Sequence, residues 1–180
     1  DPFCGSGTTL VETMVRGRKA VGIDVNPLSV LIAKAKTTCV STEVLHCLVD
    51  EVAEMAEEIY YNGAPAPPYC VNIHHWYRPK VIRQLSSLHE AVNQISNDPY
   101  RTFLKACLSA INRNVSNADP QHVFPGYSKR LRKLDMEKGR RIDAFDSFKS
   151  GTRKRIEYLR ELQDSMQDYT DARIILGHAD

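Results

Sequence analysis

Asp1-Pro2-Phe3-Cys4-Gly5-Ser6-Gly7-Thr8-Thr9, followed by Val21-Gly22-Ile23-Asp24-Val25-Asn26-Pro27, is the pair of stretches from which the fold is read. The first is a glycine-rich loop running into a helix. Two glycines flanking Ser6 let the backbone turn tightly and approach a ligand closely. The loop N–H groups, together with the unpaired N–H groups of the helix that follows, form a site for a negative or polar ligand group. The second stretch is a short strand, Ala20 to Ile23, ending in an acid. In nucleotide-binding α/β folds an acid so placed accepts hydrogen bonds from ribose hydroxyls. The spacing from the loop to Asp24 fits one helix, from Thr9 to Arg16, with Leu10 and Met14 on its apolar face and Gly17 at its end.

DPFCGSGTT with GIDVNP resembles the S-adenosylmethionine-dependent DNA amino-methyltransferases, which methylate the exocyclic nitrogen of adenine or cytosine. The resemblance implies an α/β fold: an incomplete Rossmann-like methyltransferase sheet with a large, mainly helical insertion. It implies that Asp1, Phe3, Gly5, Ser6, Gly7, Thr8 and Thr9 hold the methionine part of S-adenosyl-L-methionine. Asp24 would then hold the ribose, with Val25, Asn26 and Pro27 bordering the adenine. An acid just beyond a later strand meets the adenine amino group in this family, and Asp180 takes that place. Here His178-Ala179 separates it from Gly177, where the family has an adjacent Gly-Asp pair. The implied partner is duplex DNA with a flipped target base, and restriction-system proteins are further partners the resemblance allows. RNA guanine-N2 methyltransferases share the loop and stay open as an alternative. So does a non-catalytic nucleic-acid-binding protein with a relic cofactor fold. A dinucleotide dehydrogenase is weakly supported, since the third glycine of Gly-x-Gly-x-x-Gly is missing.

The family's catalytic (Asp/Asn/Ser)-Pro-Pro-(Tyr/Phe) motif is not found. Ala66-Pro67-Pro68-Tyr69 has alanine where a hydrogen-bonding side chain is needed, and it follows a helix, not a strand. No catalytic residue is therefore assigned. The resemblance puts the motif downstream of Asp180, so the chain is expected to be a segment holding the cofactor half of a larger enzyme, inactive alone. The strand that should deliver the chain to the loop is expected to be absent.

Composition agrees with a globular domain. The 180 residues suffice for one good core; 42% are hydrophobic and 26% charged, with a formal net charge of +2. The five cysteines (Cys4, Cys39, Cys47, Cys70 and Cys107) form no CxxC pair and no zinc-site spacing with histidine. Their scatter suggests reduced thiols in a cytoplasmic protein, and no metal site is expected. No signal peptide or membrane-length apolar run is seen. Cys4 is read as filling a small space.

Three divisions are expected: a cofactor-binding part (1–40), a helical insertion (41–168) and a return strand (169–180). Asn26 and Pro27 should cap and start a second helix that buries Leu28, Leu31, Ile32 and Ala35. Apolar residues from Val44 to Tyr60 recur at helical spacing and predict a helix over 43–61, capped by Ser41 or Thr42 and broken by Asn62 to Pro68. Residues 69–78 read as an exposed connector with three aromatic rings, in which Trp76 and Tyr77 anchor the insertion to the main domain; stacking of a ring on an unpaired base is the alternative. Helices should follow from Pro79 to Ile95 and from an Asp98 cap with Pro99 at its first position. Residues 112–128 read as a polar loop. A helix over 143–166 carries Phe145, Phe148, Ile156 and Leu159, and Gly151 within it marks a kink or break. Ala172 to Leu176 is a strand by composition.

Charge is uneven. Between Lys129 and Arg155 there are eleven Lys or Arg and four Asp or Glu. Such a surplus meets phosphates without reading base sequence; a solvated helix face is the plainer account. Lys129, Arg130, Arg132, Lys133, Arg140 and Arg141 are the nucleic-acid-binding candidates.

Overall fold

The computed structural model describes residues 1–119, 126, 128, 129, 133, 139, 141–166 and 172–177. In chain order the described elements are α1 (Thr8–Val15), β1 (Ala20–Asp24), α2 (Pro27–Thr37), α3 (Thr42–Gly63), α4 (Ile73–Trp76), α5 (Pro79–Gln94), α6 (Asp98–Ile111), α7 (Ala144–Asp164) and β2 (Ala172–Leu176). The result is a mixed α/β arrangement: a small parallel sheet flanked by helices, beside a larger helical body.

β1 and β2 pair in parallel, with Ala20 opposite Ala172 and Asp24 opposite Leu176. On the other side of β1 lies the start of the chain. Asp1 N donates to Val21 O at 2.8 Å, and Ile23 N donates to Asp1 O at 2.9 Å. One residue bonding to the two that flank its partner is the pattern of a parallel ladder. Cys4 N adds a bond to Ile23 O at 3.0 Å. The expected gap before the loop is thus partly closed: residues 1–4 run along β1, and β1 is bonded on both sides.

Helix ends follow side-chain chemistry. Asn26 Oδ1 accepts from Leu28 N at 2.9 Å and caps α2. Ser41 Oγ accepts from Val44 N at 3.2 Å and caps α3. Two expectations need correction here. The cap of α6 is Asn97, whose side chain accepts from Tyr100 N, so Asp98 is already helical and pairs with Arg101. In α2 the buried residues are Val30, Ala33, Ala35 and Thr37, while Leu28 is exposed. The reason is crowding: α2 lies against α1, α6 and both strands, so the face with small residues turns inward where neighbours are closest. Val44 is likewise exposed, and α3 buries Leu45, Val49, Val52, Ala53 and Ala56.

The large core joins α3, α5, α6 and α7 through Leu45, Val49, Leu88, Leu104, Phe148 and Ile156, and reaches α2 at Ala35 and Val40 beyond it. Tyr77 packs against this core, and Asn117 N donates to Trp76 O at 2.7 Å, so the end of the 69–78 connector is tied to the helical body itself, where anchoring to the main domain was expected. The connector also holds the single turn α4. α7 runs unbroken through Gly151, which corrects the expected break. A Cβ there would stand 3.2 Å from Ile111 Cγ2 and from Arg155 Nη1. The missing side chain lets α6 and α7 approach closely there.

A partly buried polar joint fastens α5 to the start of α7. Asp143 Oδ1 accepts from Phe145 N at 3.0 Å and Asp146 N at 3.3 Å, capping α7. Its Oδ2 accepts from Gln84 Nε2 at 2.9 Å and Lys80 Nζ at 3.0 Å. Gln84 is buried, and its Oε1 accepts from Ala144 N at 3.1 Å. Desolvation pushes the Asp143 carboxyl up, but the hydrogen bonds from Gln84 and Lys80, with the helix N–H of Asp146, outweigh it and hold it below the ordinary aspartate value.

Candidate cofactor-binding site

The loop and the strand tip are joined by one side chain. Gly5 N donates to Asp24 Oδ2 at 2.8 Å, and Asn26 N donates to Asp24 Oδ1 at 2.8 Å. Asp24 therefore clasps the glycine loop on one side and the turn into α2 on the other. An ionised carboxylate offers roughly four acceptor positions, so about two remain for hydroxyl groups of a ligand.

Within the loop, Gly7 N donates to Cys4 O at 2.8 Å and Val11 N to Gly7 O at 3.0 Å. Gly7 caps α1 with φ 78° and no side-chain cap. A Cβ on Gly7 would meet Ala33 Cβ at 3.0 Å and Ala33 Cα at 3.1 Å, so the glycine is needed both for its left-handed backbone and for the close approach of α2. Asp1 Oδ1 accepts from Phe3 N at 3.1 Å, bracing the first turn.

Gly22 is a functional glycine that sequence reading passed over. A Cβ there would lie 2.6 Å from Leu10 Cδ1 and 2.9 Å from Cys4 Cβ. Its absence lets Leu10 of α1 and Cys4 of the loop seat directly on β1, which sets the loop's height over the strand. The signal was present: an isolated glycine inside a strand pattern marks close approach by another group. Cys4 is buried in this small core with Leu10 and Ala33. Burial first, and the nearby Asp24 charge second, push its thiol up. The expected space-filling role holds, and a nucleophile is disfavoured.

Of the candidates, Gly5 and Asn26 are brought to Asp24 by their N–H groups, and Asp1, Phe3, Ser6, Gly7, Thr8, Thr9 and Val25 flank these positions in the chain. Ser6, Thr8 and Thr9 are exposed, as are the large apolar Phe3 (78%) and Val25 (54%). Asn26 spends its Oδ1 on the cap of α2. Asp180 lies outside the described residues. β2 ends beside Asp24, and Gly177 N donates to Asp24 O at 3.1 Å, so the chain leaves β2 next to the acid.

The basic candidates are separate. Lys129, Lys133 and Arg141 are exposed; Arg130, Arg132 and Arg140 lie outside the described residues. On α7 the basic run is divided. Arg153 Nη2 bonds Asp50 Oδ1 of α3 at 2.6 Å, and Lys149 Nζ lies 3.9 Å from Glu57 Oε1. Ala66 to Tyr69 is an exposed segment after α3, with Tyr69 94% exposed. Among the described residues no group of three metal-ligating side chains is found, and no helix is long and apolar enough to cross a membrane.

Over 123 residues, 65% of this chain, the sequence is 34% identical to the type II methyltransferase M.MvaI of Kocuria varians. Over that stretch the chain is similar to a type II methyltransferase. A second relative is the type II methyltransferase M.MjaII of Methanocaldococcus jannaschii, 56% identical over 36 residues, 20% of this chain. The chain spans only part of these proteins: the aligned regions cover 27% of M.MvaI and 7% of M.MjaII. No family model matches the chain, and no solved structure does.

Proposed function

We propose that the protein carrying this chain transfers a methyl group from S-adenosyl-L-methionine to an exocyclic amino group of adenine or cytosine in duplex DNA. In this reading the chain supplies mainly the cofactor-binding half, within a Rossmann-like sheet that carries residues 41–168 as a helical insertion. The observation that carries it is the Asp24 clasp on Gly5, in a chain related to methyltransferases. It sets a hydroxyl-accepting acid directly against a glycine loop.

The residues fit that cofactor. The loop and the start of α1 offer N–H groups for a carboxylate, the open acceptor positions of Asp24 suit a ribose diol, and exposed Phe3 and Val25 offer apolar surface to a purine. When bound, S-adenosylmethionine supplies an activated methyl group on its sulfonium. This chain's part is positional. Methyl transfer to an amino nitrogen needs both reactants held in line, and Gly22 and Gly7 fix the loop on β1 and α2 so that Asp24 and the loop hold one geometry. We assign no catalytic residue here. A hydrogen-bonding Pro-Pro-(Tyr/Phe) motif beyond Asp180, acting on a flipped base, completes the reading. Lys129, Lys133 and Arg141, with Arg130, Arg132 and Arg140, are proposed to meet DNA phosphates. Cytoplasmic action, alone or within a restriction–modification system, follows from the same reading.

The test uses the full-length protein with isotope-labelled S-adenosylmethionine and either duplex DNA or bulk RNA. The product is digested and the methylated nucleoside identified by mass spectrometry. N6-methyldeoxyadenosine or N4-methyldeoxycytidine is expected. Label in RNA alone, or cofactor binding with no transfer to either, overturns the proposal.

A further inference from the structure

A cleft of about 720 Å³ opens between α1, α2, α6 and α7, and of the loop residues only Thr8 reaches it. Its existence follows from truncated side chains on facing helices. Ala35 on α2, Ala106 and Ala110 on α6, and Gly151 on α7 stand where larger residues would close the gap. What they expose is apolar: Val11, Ile32, Phe103, Leu159 and Leu162 form the floor and walls.

The charged groups are one-signed. Among the described residues, Lys36, Lys154 and Arg155 line the cleft and no carboxylate does, beside the neutral polar Thr8, Ser109, Asn114 and Tyr158. Two other cations of α7 are paired across to α3, Lys149 with Glu57 and Arg153 with Asp50. Lys36, Lys154 and Arg155 make no ion pair among the described residues; Arg155 donates to Gly151 O at 2.7 Å, and Lys154 stands 5.7 Å from the centre of the Tyr158 ring. A bare phosphate or a DNA backbone has no use for an apolar floor, and a neutral ligand none for three cations. The volume lies in the range of small-molecule sites, which combine apolar lining with a few polar groups that fix orientation.

We propose that this cleft binds a compact organic anion: a flat or aliphatic apolar body with one phosphate- or sulfonate-type head. The body rests on Phe103 and Leu159, and the head is met by Lys36, Lys154 and Arg155. The site is distinct from the Asp24 loop and stands independently of the methyl-transfer reading.

The test titrates the full-length protein with 8-anilinonaphthalene-1-sulfonate, an aromatic body bearing one sulfonate, followed by fluorescence. Saturable binding at one site is expected. The paired charge reversal Lys154→Glu/Arg155→Glu should weaken it at least tenfold, and Ala110→Phe, which fills the cleft, should abolish it. Circular dichroism melts confirm that each variant is folded; the exposed Lys154→Glu change alone keeps the test decisive if Ala110→Phe does not fold. Competition by deoxyadenosine monophosphate or by dodecyl phosphate tells an aromatic from an aliphatic ligand. Absence of saturable binding, indifference to the charge reversals, or failure of both competitors overturns the proposal. Displacement by S-adenosylmethionine also overturns it, because the probe would then be reporting the loop site.

Discussion

Replacing Asp24 tests the clasp and the cofactor reading together. In the wild type its two carboxylate oxygens each accept one backbone N–H at 2.8 Å, from Gly5 and Asn26. Hydrogen bonds to a charged group contribute about 1.5–3 kcal/mol each, and this site is only half-buried, which favours the lower end. Asp24→Ala removes both bonds and the acceptors left for a diol. The affinity loss for S-adenosylmethionine is expected at about 1–3 kcal/mol, or roughly 5- to 150-fold at about 1.4 kcal/mol per decade. Asp24→Asn is the sharper variant: it keeps one acceptor but turns an NH₂ toward either Gly5 N–H or Asn26 N–H, a donor facing a donor. Isothermal titration calorimetry on the full-length protein measures the affinity. Hydrogen exchange at the Gly5 amide measures the clasp and should quicken in both variants. Unchanged affinity would refute the cofactor assignment. Unchanged exchange at Gly5 would refute the clasp, whatever the affinity does.

Two further perturbations probe the frame around the site. Asp143→Ala deletes the cap of α7, a loss of about 0.5–2 kcal/mol, and strands the buried Gln84 amide, adding about 1–3 kcal/mol; urea unfolding should show a drop within the sum of these, and no drop would mean the joint contributes nothing. The same joint sets an acid limit. Because the folded carboxyl of Asp143 lies below its ordinary value of 3.8, its stabilisation is fully present above that value and is lost as pH falls through the depressed folded value. Asp143→Asn should flatten the stability–pH slope in that acid window, measured by urea midpoints. Gly22→Ala places a methyl 2.6 Å from Leu10 Cδ1 and 2.9 Å from Cys4 Cβ; Leu10 is fully buried and Cys4 Cβ is fixed to its backbone, so a destabilisation of about 1–3 kcal/mol is expected by thermal melting. A melt identical to wild type would show that the loop does not sit on β1 as described.

Much of this was legible in the chain because it is local. A cap and a proline beside it specify a helix start within a few residues, as Asn26-Pro27 and Ser41 do. A pattern of apolar residues three and four apart specifies a helix, as along α3. Where caps competed, local rules misassigned: Asn97 and Asp98 both suit a cap, and α6 took the one whose side chain reaches Tyr100 N. Which side of a helix is buried was read less well. Leu28 and Val44 are apolar yet exposed, because hydrophobicity alone does not say where neighbouring helices lie.

The sequence by itself determined the loop, the acid at the end of β1, the run of helices and the strand that returns at Ala172, since each depends on backbone preferences and side-chain periods written within a dozen residues. The resemblance carried by residues 1–27 came from the same short range, and the type II methyltransferase relatives bear it out. Only the tertiary structure decided that Asp24 grips Gly5, that Gly22 is empty so Leu10 and Cys4 can fit, and that Gly151 joins two helices where a break was expected. It alone decided which cations of α7 are spent on α3 and which face a cleft. These are contacts between residues 12 to more than 100 positions apart. Their existence depends on distances of a few ångströms set by packing, and no local pattern encodes such a distance.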